Sequence, residues 1–466
     1  MTREELQFKK MTQTNTKRLV VTLGVPTIIS MLVTAIYNIA DTFFVSQLGK
    51  SASGAVGVVF SLMAIVQAIG FTFGMGSGSL ISSKLGEKKD EEAQKIGSSA
   101  FYGALLLGVI FSIICFCFFD SILKMLGATD TVLPYARSYA SYIIAGFPVM
   151  IASFVMNNIL RAEGKSKLSM IGLTAGGILN IILDPIFITI FNLGISGAAI
   201  ATLISQTVSM LILLSMFVFR KSIIKLSVKE ISKDISVYLD VIKVGLPSLC
   251  RQGLASIASI LLNRQAGAYG SDAALSAMSI VSKVFMVIFS ISLGIGQGYQ
   301  PVCGYNYFAK KYDRVKEAMV FTFICGTVTM TTMCIIFSIF VKQTIGFFIS
   351  DEEVISIGAQ ALRFQCFSLP FLSLNVICNM TYQSIRHKYK ATLLSSCRQG
   401  IFFIPLVFIL PSMLELVGVE LVQAMSDFLT FVISVPFFIM ILKDLNNKIS
   451  ESTKKANVDL EYTIEY

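Results

Sequence analysis

The 466-residue chain carries a net charge of +10, with 54% hydrophobic and only 14% charged residues. Soluble globular proteins carry roughly 25% charged residues, so this composition excludes an ordinary soluble enzyme or binding domain. A basic chain can bind nucleic acid, but here the charge lies in loops between long apolar runs that no nucleic-acid-binding motif interrupts. We therefore expect no nucleic-acid partner.

Twelve apolar runs follow one another along the chain, and each is long enough to cross a bilayer, which takes about 20 residues. They predict an all-α polytopic membrane protein with twelve transmembrane helices. The runs lie at 19–45, 54–80, 96–119, 133–160, 168–190, 195–219, 237–263, 273–303, 317–341, 354–382, 389–411 and 417–442.

The loops between these runs alternate in basic charge. The N-terminal segment, every second loop and the C-terminal tail together hold 29 Lys and Arg residues, against 5 in the remaining loops. Because cytoplasmic loops are enriched in Lys and Arg, both termini are predicted to be cytoplasmic. Residues 1–18 are polar and no small-residue cleavage site follows them, so we expect no cleavable signal.

The second half of the chain repeats the first at an offset of about 221 residues. GVP at 24–26 matches GLP at 245–247, and FGMGSG at 73–78 aligns with LGIGQG at 293–298. Neither glycine motif has the Lys of a phosphate-binding loop, so both are interpreted as small-residue packing seams. In the same alignment Asn157 meets Asn379.

Each half has an even number of spans, so both halves enter the membrane in the same orientation. We therefore predict two six-helix bundles related by a pseudo-two-fold axis along the membrane normal, with alternating access around a central cleft. The predicted domains are a cytoplasmic N-terminal segment (1–18), an amino lobe (19–219), a cytoplasmic linker (220–236), a carboxyl lobe (237–443) and a cytoplasmic tail (444–466).

Two carboxylates lie inside predicted spans of the amino lobe, where a charge costs about 2.5–3.5 kcal/mol at the bilayer centre. Asp41 follows Tyr37 by one helical turn, and Asp184 follows Asn180 by one turn. Two carboxylates in one buried cavity cannot both stay ionised without a cation, so the pair is expected to take up a proton or Na⁺. The alternative is that both merely pair with helix-capping groups or loop lysines.

Three segments, YNIADTFFVSQLG (37–49), NNILRAEGKSKLSM (157–170) and LNIILDP (179–185), resemble the MATE family of multidrug and toxic compound extrusion proteins. The resemblance runs from about residue 16 to 443 and looks closest to the MepA-like branch of Gram-positive bacteria. It implies a MATE fold and a monomeric, non-enzymatic antiporter of the bacterial cell membrane. Such an antiporter exports cationic lipophilic small molecules against H⁺ or Na⁺ and uses no other cofactor.

The resemblance also implies where the coupling ion binds. Members carry an amino-lobe cation site on the positions that match Asp41, Asn180, Asp184 and Thr202 here, with a backbone carbonyl at the position of Ala198. If the ion is Na⁺, the side chains at the four matched positions are its expected ligands. For Asn180 and Thr202, hydrogen bonding between helices is the alternative. Further residues expected in the network or the substrate cavity are Tyr37, Tyr139, Asn157, Arg251 and Asp427.

The carboxyl lobe departs from the family pattern. Many members carry an acid about two turns after the Pro of the seventh span, but here Ala255 occupies that place and Arg251 lies one turn earlier. A carboxyl-lobe cation site is therefore not expected. Asp427 in the twelfth span is expected to pair with an intramembrane base or to contact substrate. The candidate bases are Arg251, Lys283, Arg363 and Arg398.

Two other functions stay open as alternatives. The four intramembrane bases suit a flippase for lipid-linked precursors from the same broader superfamily, which would need a cationic cavity for a diphosphate. A channel or membrane enzyme is the other alternative, but the sequence has no nucleophile–base pair, metal cluster or nucleotide site in its favour.

Overall fold

The computed structural model describes residues 2–464, without the side chains of Lys50, Ser53 and 455–464. The outer ends of the predicted cytoplasmic segments, Met1 and residues 465–466, lie outside the described residues. The α-helices are α1 (Arg3–Gln13), α2 (Thr16–Ser46), α3 (Lys50–Gly86), α4 (Asp90–Cys117), α5 (Phe119–Met125), α6 (Leu133–Ala145), α7 (Phe147–Ala162), α8 (Ser166–Pro185), α9 (Gly194–Val218), α10 (Ile235–Tyr269), α11 (Asp272–Phe308), α12 (Tyr312–Ile339), α13 (Val341–Gly346), α14 (Glu352–Ser384), α15 (Lys388–Ser396) and α16 (Phe403–Ile464).

Within residues 2–464, ten helices are long and apolar enough to cross a membrane, and the pair α6–α7, bent by 47°, makes an eleventh span. The last of the ten, Lys388–Lys454, is 67 residues long, far more than the roughly 20 residues that one span takes. It contains the non-helical residue Glu415 (φ 52°, ψ −129°), which separates two helices. Counting both gives twelve spans, which confirms the predicted all-α fold.

The two lobes meet along a seam between α2 and α11 and between α3 and α10. Glycines make this contact close, as the glycine motifs predicted. A Cβ on Gly76 would lie 2.0 Å from the Val241 carbonyl oxygen, and one on Gly298 would lie 2.4 Å from the Gly24 Cα. Small residues let membrane helices approach closely enough for their backbones to touch.

The seam lies toward the face of the bundle that carries the basic loops. In the other halves of the same helices, a Cβ on Gly57 of α3 or Gly267 of α10 would meet nothing within 4 Å, so neither glycine makes a close helix contact there. The close contacts at Gly76 and Gly298 thus hold the lobes together toward the basic face. If the basic face is cytoplasmic, as predicted, this contact closes the cytoplasmic side.

A buried carboxylate fastens the segment between the lobes. Glu163, fully buried at the end of α7, accepts hydrogen bonds from the backbone N–H groups of Ile223 and Ile224, both at 2.9 Å, and from the Ser222 hydroxyl. Lys165 Nζ lies 3.1 Å from Glu163 Oε2 and supplies the compensating charge. The predicted linker is therefore held against the amino lobe at its start.

The internal repeat extends to side-chain hydrogen bonds. Asn157 Nδ2 donates to the carbonyl oxygen of Ser169 (3.2 Å), and Asn379 Nδ2 donates to the carbonyl oxygen of Ala391 (2.7 Å). Each amide also donates to a serine hydroxyl at 2.6 Å, Ser169 in one lobe and Ser395 in the other. The two asparagines therefore perform the same task in both halves, joining the fourth span to the fifth and the tenth to the eleventh.

Candidate functional site

Small residues bring the three helices of the amino-lobe site together. α8 packs between α2 and α9. A Cβ on Gly177 would lie 2.6 Å from Val33 Cγ1 of α2, and one on Gly176 would lie 2.7 Å from Ser209 Cβ of α9. This close approach lets short polar side chains on three separate helices reach one another.

Five predicted site residues form one cluster at this junction. Asn180 Nδ2 lies 3.2 Å from Asp184 Oδ1 and 3.4 Å from Thr202 Oγ1, so it connects α8 to α9. The Tyr139 hydroxyl of α6 donates to Asp41 Oδ2 of α2 at 3.4 Å. Asp41 and Asp184 are near enough for their charges to interact, and Tyr139 lies within the field of both.

Several oxygens in this cluster have no hydrogen-bond partner among the described residues. They are Asp41 Oδ1, Asn180 Oδ1 and Asp184 Oδ2. Neither aspartate takes part in any ion pair between described side chains, so pairing with a loop lysine, the alternative considered above, is not observed. A buried, unpaired acceptor is costly unless a proton or cation satisfies it. The donor set of carboxylate, amide and hydroxyl oxygens fits either one.

The other amino-lobe candidates lie around the cluster. Ala198 is fully buried one turn before Thr202 on α9, where only its backbone offers a polar atom. Tyr37 is buried one turn before Asp41 and interacts with Gln206 of α9, a residue that sequence reasoning missed. Asn157 is not joined to the cluster by a hydrogen bond, because its amide donates to Ser169 as described above.

In the carboxyl lobe Asp427 is part of a buried ion pair. Arg398 Nε lies 2.6 Å from Asp427 Oδ1, which also accepts from Gln423 Nε2 at 3.0 Å. The Ser368 hydroxyl donates to Asp427 Oδ2 at 3.3 Å. Of the four bases that the sequence offered as partners, Arg398 is the one in contact. Arg363 is exposed on α14 and Lys283 is half-buried on α11.

We expect Asp427→Asn to affect stability more than ion coupling. The substitution leaves Arg398 without its counter-charge, and breaking a buried ion pair costs about 3–5 kcal/mol. The melting temperature of the purified protein should therefore fall, while at matched expression dye efflux should decrease less than in Asp184→Asn. The reverse ranking of the two variants in efflux would mean that coupling chemistry lies in the carboxyl lobe.

A buried arginine crosses between the lobes near the seam. Arg161, only 4% exposed at the end of α7, donates to Gln297 Oε1 of α11 in the opposite lobe and to Asn158 Oδ1 in its own. From the sequence alone Arg161 counts as a loop cation. Its position after a complete apolar span gave no indication that the side chain turns inward.

Comparisons with known proteins agree with this architecture. The MatE family model matches residues 26–186 and 247–409, one segment in each half. The chain is 28% identical over 397 residues to the multidrug export protein MepA of Staphylococcus saprophyticus, covering 85% of this chain and 87% of that protein. It is 27% identical over 398 residues, with the same coverage, to MepA of Staphylococcus aureus.

Solved structures with the same fold include transporters. One is an outward-facing multidrug resistance MATE family transporter of the MOP superfamily, with a TM-score of 0.90 and 25% identity over 96% of this chain and 99% of that one. Another is a MOP superfamily transporter from Pyrococcus furiosus, with a TM-score of 0.88, 25% identity and the same coverage, for which a binding pocket of reverse polarity suggests a different function. The family model covers both halves of the repeat, so this multi-pass membrane protein belongs to the MATE family of transporters.

Proposed function

We propose that this chain is a secondary active multidrug exporter of the bacterial cell membrane, exchanging cationic lipophilic compounds for H⁺ or Na⁺. The observation that carries the proposal is the pair of amino-lobe carboxylates, Asp41 and Asp184, which lie within electrostatic range of each other without a basic partner among the described side chains. The names of the MepA relatives, which are multidrug export proteins, support the substrate class.

The coupling ion and the drug compete for the same negative charge. When both aspartates are ionised, the amino lobe attracts a lipophilic cation. Na⁺ entering from outside would take Asp41 Oδ1, Asp184 Oδ2 and Asn180 Oδ1, the oxygens that lack a partner, as ligands, whereas a proton would neutralise one of the two carboxylates. The Tyr139 hydroxyl positions Asp41 directly. Asn180, which contacts Thr202, positions Asp184. The drug then loses its counter-charge and leaves.

In this proposal, alternating access occurs by opening and closing of the seam between the two lobes. The structure is sealed on the basic face, which we place in the cytoplasm together with both termini. Export requires the seam between α2–α11 and α3–α10 to open toward the cytoplasm and the opposite ends of the same helices to close. An ion can shift this equilibrium only by the difference between its affinities for the two facing states.

The flippase alternative is not favoured. A lipid diphosphate carries at least two negative charges, whereas the carboxyl lobe neutralises Arg398 with Asp427 at 2.6 Å. A cavity in the carboxyl lobe is lined by Arg251 and Arg398, whereas Lys283 and Arg363 are not among its described lining residues and Arg363 is exposed on α14. Among the described side chains of this lining, Arg251 is the base without an ion pair.

We expect the coupling ion to weaken binding of a cationic dye. Binding of ethidium to the detergent-solubilised protein can be followed by fluorescence anisotropy, with choline replacing Na⁺ at constant ionic strength and with pH varied separately. A saturating coupling ion should raise the dissociation constant about tenfold, within the range typical of linked sites. Asp184→Asn should remove this dependence, because one of the two competing charges is gone.

The matched control is Asp120→Asn, which removes an exposed carboxylate of α5 that pairs with Arg137 of α6. It should keep the ion dependence of the intact protein. Dye that binds with the same affinity under all ion conditions would contradict coupling at the amino-lobe carboxylates.

A further inference from the structure

A small cavity lies at the seam beside the buried arginine Arg161. It has about 20 Å³ of free space. About 10–15 Å³ is enough to hold a water molecule, and a chloride ion is similar in size to water. The polar lining comes from both lobes, with Ser79, Ser82 and Asn158 on the amino side and Gln297 and Gln300 on the carboxyl side. The cavity is therefore complete only while the seam is closed.

Arg161 brings a positive charge to this cavity without a counter-charge. Its guanidinium donates to two neutral oxygens, Gln297 Oε1 and Asn158 Oδ1, which engages two of its five N–H groups. It forms no ion pair with any described side chain. Because Arg161 is only 4% exposed, water replaces little of the missing counter-charge. A buried charge is strongly unfavourable unless an opposite charge neutralises it.

The neighbour whose charge acts on Arg161 is also a base. Arg251 of α10 is close enough for the two guanidinium groups to repel each other. Arg251 has no described ion pair either, since its acceptors are the neutral Asn379 Oδ1 at 3.4 Å and Ser248 Oγ at 3.5 Å. The seam therefore holds two positive charges that no described acid compensates.

A second unused donor belongs to the lining of the same cavity. Gln297 is 2% exposed, and its Nε2 has no hydrogen-bond partner among the described residues. The two amide positions cannot be exchanged, because Gln297 Oε1 accepts from Arg161 and a nitrogen there would face another donor. A buried N–H group without an acceptor is costly. Arg161 and Gln297 thus bring unused donors from opposite lobes to one small space.

We infer that the seam cavity binds a small monovalent anion of the size of chloride, held by Arg161 and Gln297. The anion supplies the missing negative charge and accepts from the unused donors, and such charge-assisted hydrogen bonds are the stronger kind. An organic acid does not fit, since small-molecule sites take about 300–1,000 Å³. Because its ligands come from both lobes, the bound anion stabilises the closed seam. The inference does not depend on which compound is exported or which cation is coupled.

Replacing chloride by gluconate at constant ionic strength tests the site, because gluconate is too large for the cavity. A ligand that binds only the folded, closed protein stabilises it by mass action. The melting temperature of the purified protein should therefore be higher in chloride than in gluconate by at least about 2 °C. Equal melting temperatures in the two salts would overturn the inference and assign the cavity to water.

Gln297→Glu should make the protein independent of chloride. Gln297 Oε1 already accepts from Arg161, so the new carboxylate supplies the counter-charge in place and repels the anion. In gluconate this variant should melt at least as high as the intact protein does in chloride. The control Gln343→Glu adds the same charge at an exposed position of α13 and should keep the chloride dependence. Full chloride dependence in Gln297→Glu would contradict the site.

Arg161→Gln covers the case in which Gln297→Glu does not fold, because removing the positive charge should also abolish the chloride dependence. Spin labels at Glu91 and Asp240, exposed residues of opposite lobes, report the seam itself. Exchange of chloride for gluconate should raise the fraction of long distances at least about twofold in the intact protein, as expected for a ligand that binds only the closed state. A distance distribution that the exchange does not change would rule out an anion between the lobes.

Discussion

Replacing Asp41 by Asn is expected to abolish ion-driven export while leaving the protein folded and inserted. The change removes a charge from the amino-lobe cluster with little change of shape, and the Tyr139 hydroxyl, now 3.4 Å from Asp41 Oδ2, keeps an oxygen acceptor. Without the charge of Asp41, the coupling ion and the cationic drug no longer compete for the same negative group, so an ion gradient no longer drives efflux. Dye efflux from proteoliposomes should fall at least about tenfold, as expected when a linkage of 1–3 kcal/mol is lost.

The control for this variant is Asp120→Asn, which removes a carboxylate of the same type from the exposed ion pair between α5 and Arg137 of α6. It should transport like the intact protein. An Asp41→Asn protein that is present in normal amounts and gives cells full drug resistance would rule out a coupling role for Asp41. Asp184→Asn is expected to behave like Asp41→Asn, because both aspartates belong to one electrostatic unit.

Gly76→Ala is expected to block transport by preventing the seam from closing. The added Cβ would lie 2.0 Å from the Val241 carbonyl oxygen, a backbone atom that cannot rotate away. Overpacking of this kind costs about 1–3 kcal/mol. Because about 1.4 kcal/mol changes an equilibrium tenfold, the sealed state should lose about five- to a hundredfold in population relative to the state open on the basic face.

The distance between the cytoplasmic ends of the lobes measures this shift. Spin labels at Glu91 and Asp240, both exposed and in opposite lobes, should report longer distances in Gly76→Ala than in the parent, in a background without the native cysteines. The matched control is Gly57→Ala on the same helix, where a Cβ meets nothing within 4 Å. It receives the same gain in helix propensity and should leave both distance and transport unchanged. Equal distances in both variants would show that the seam is not the closing contact.

Much of the architecture could be predicted from the sequence because the bilayer imposes it. Apolar length defines the spans, and the repeat of GVP and the glycine motifs defines the two halves. The glycine motifs also predicted close packing, which Gly76 and Gly298 show at the seam. The separate spans around Glu415 were predicted from the break in hydropathy, and the backbone is non-helical at that residue.

The choice of partner inside the membrane could not be predicted in the same way. Four bases were equally eligible to pair with Asp427, and only the packing of the segment Cys397–Ile401 against α16 brings Arg398 to it. For the same reason Arg161 was taken for a loop cation, although its side chain is buried against Gln297 of the other lobe. Helix periodicity gives the face of a residue, but it does not identify which helix that face meets.

Efflux from proteoliposomes under separately imposed gradients tests the proposed antiport most directly. Vesicles preloaded with a cationic dye are diluted into buffer with higher Na⁺ at equal pH, or with lower pH at equal Na⁺, with the membrane potential clamped. One of the two gradients should accelerate efflux through the intact protein, and Asp41→Asn should show no acceleration. Efflux that neither gradient changes, from vesicles that hold correctly folded protein, would contradict ion-coupled export.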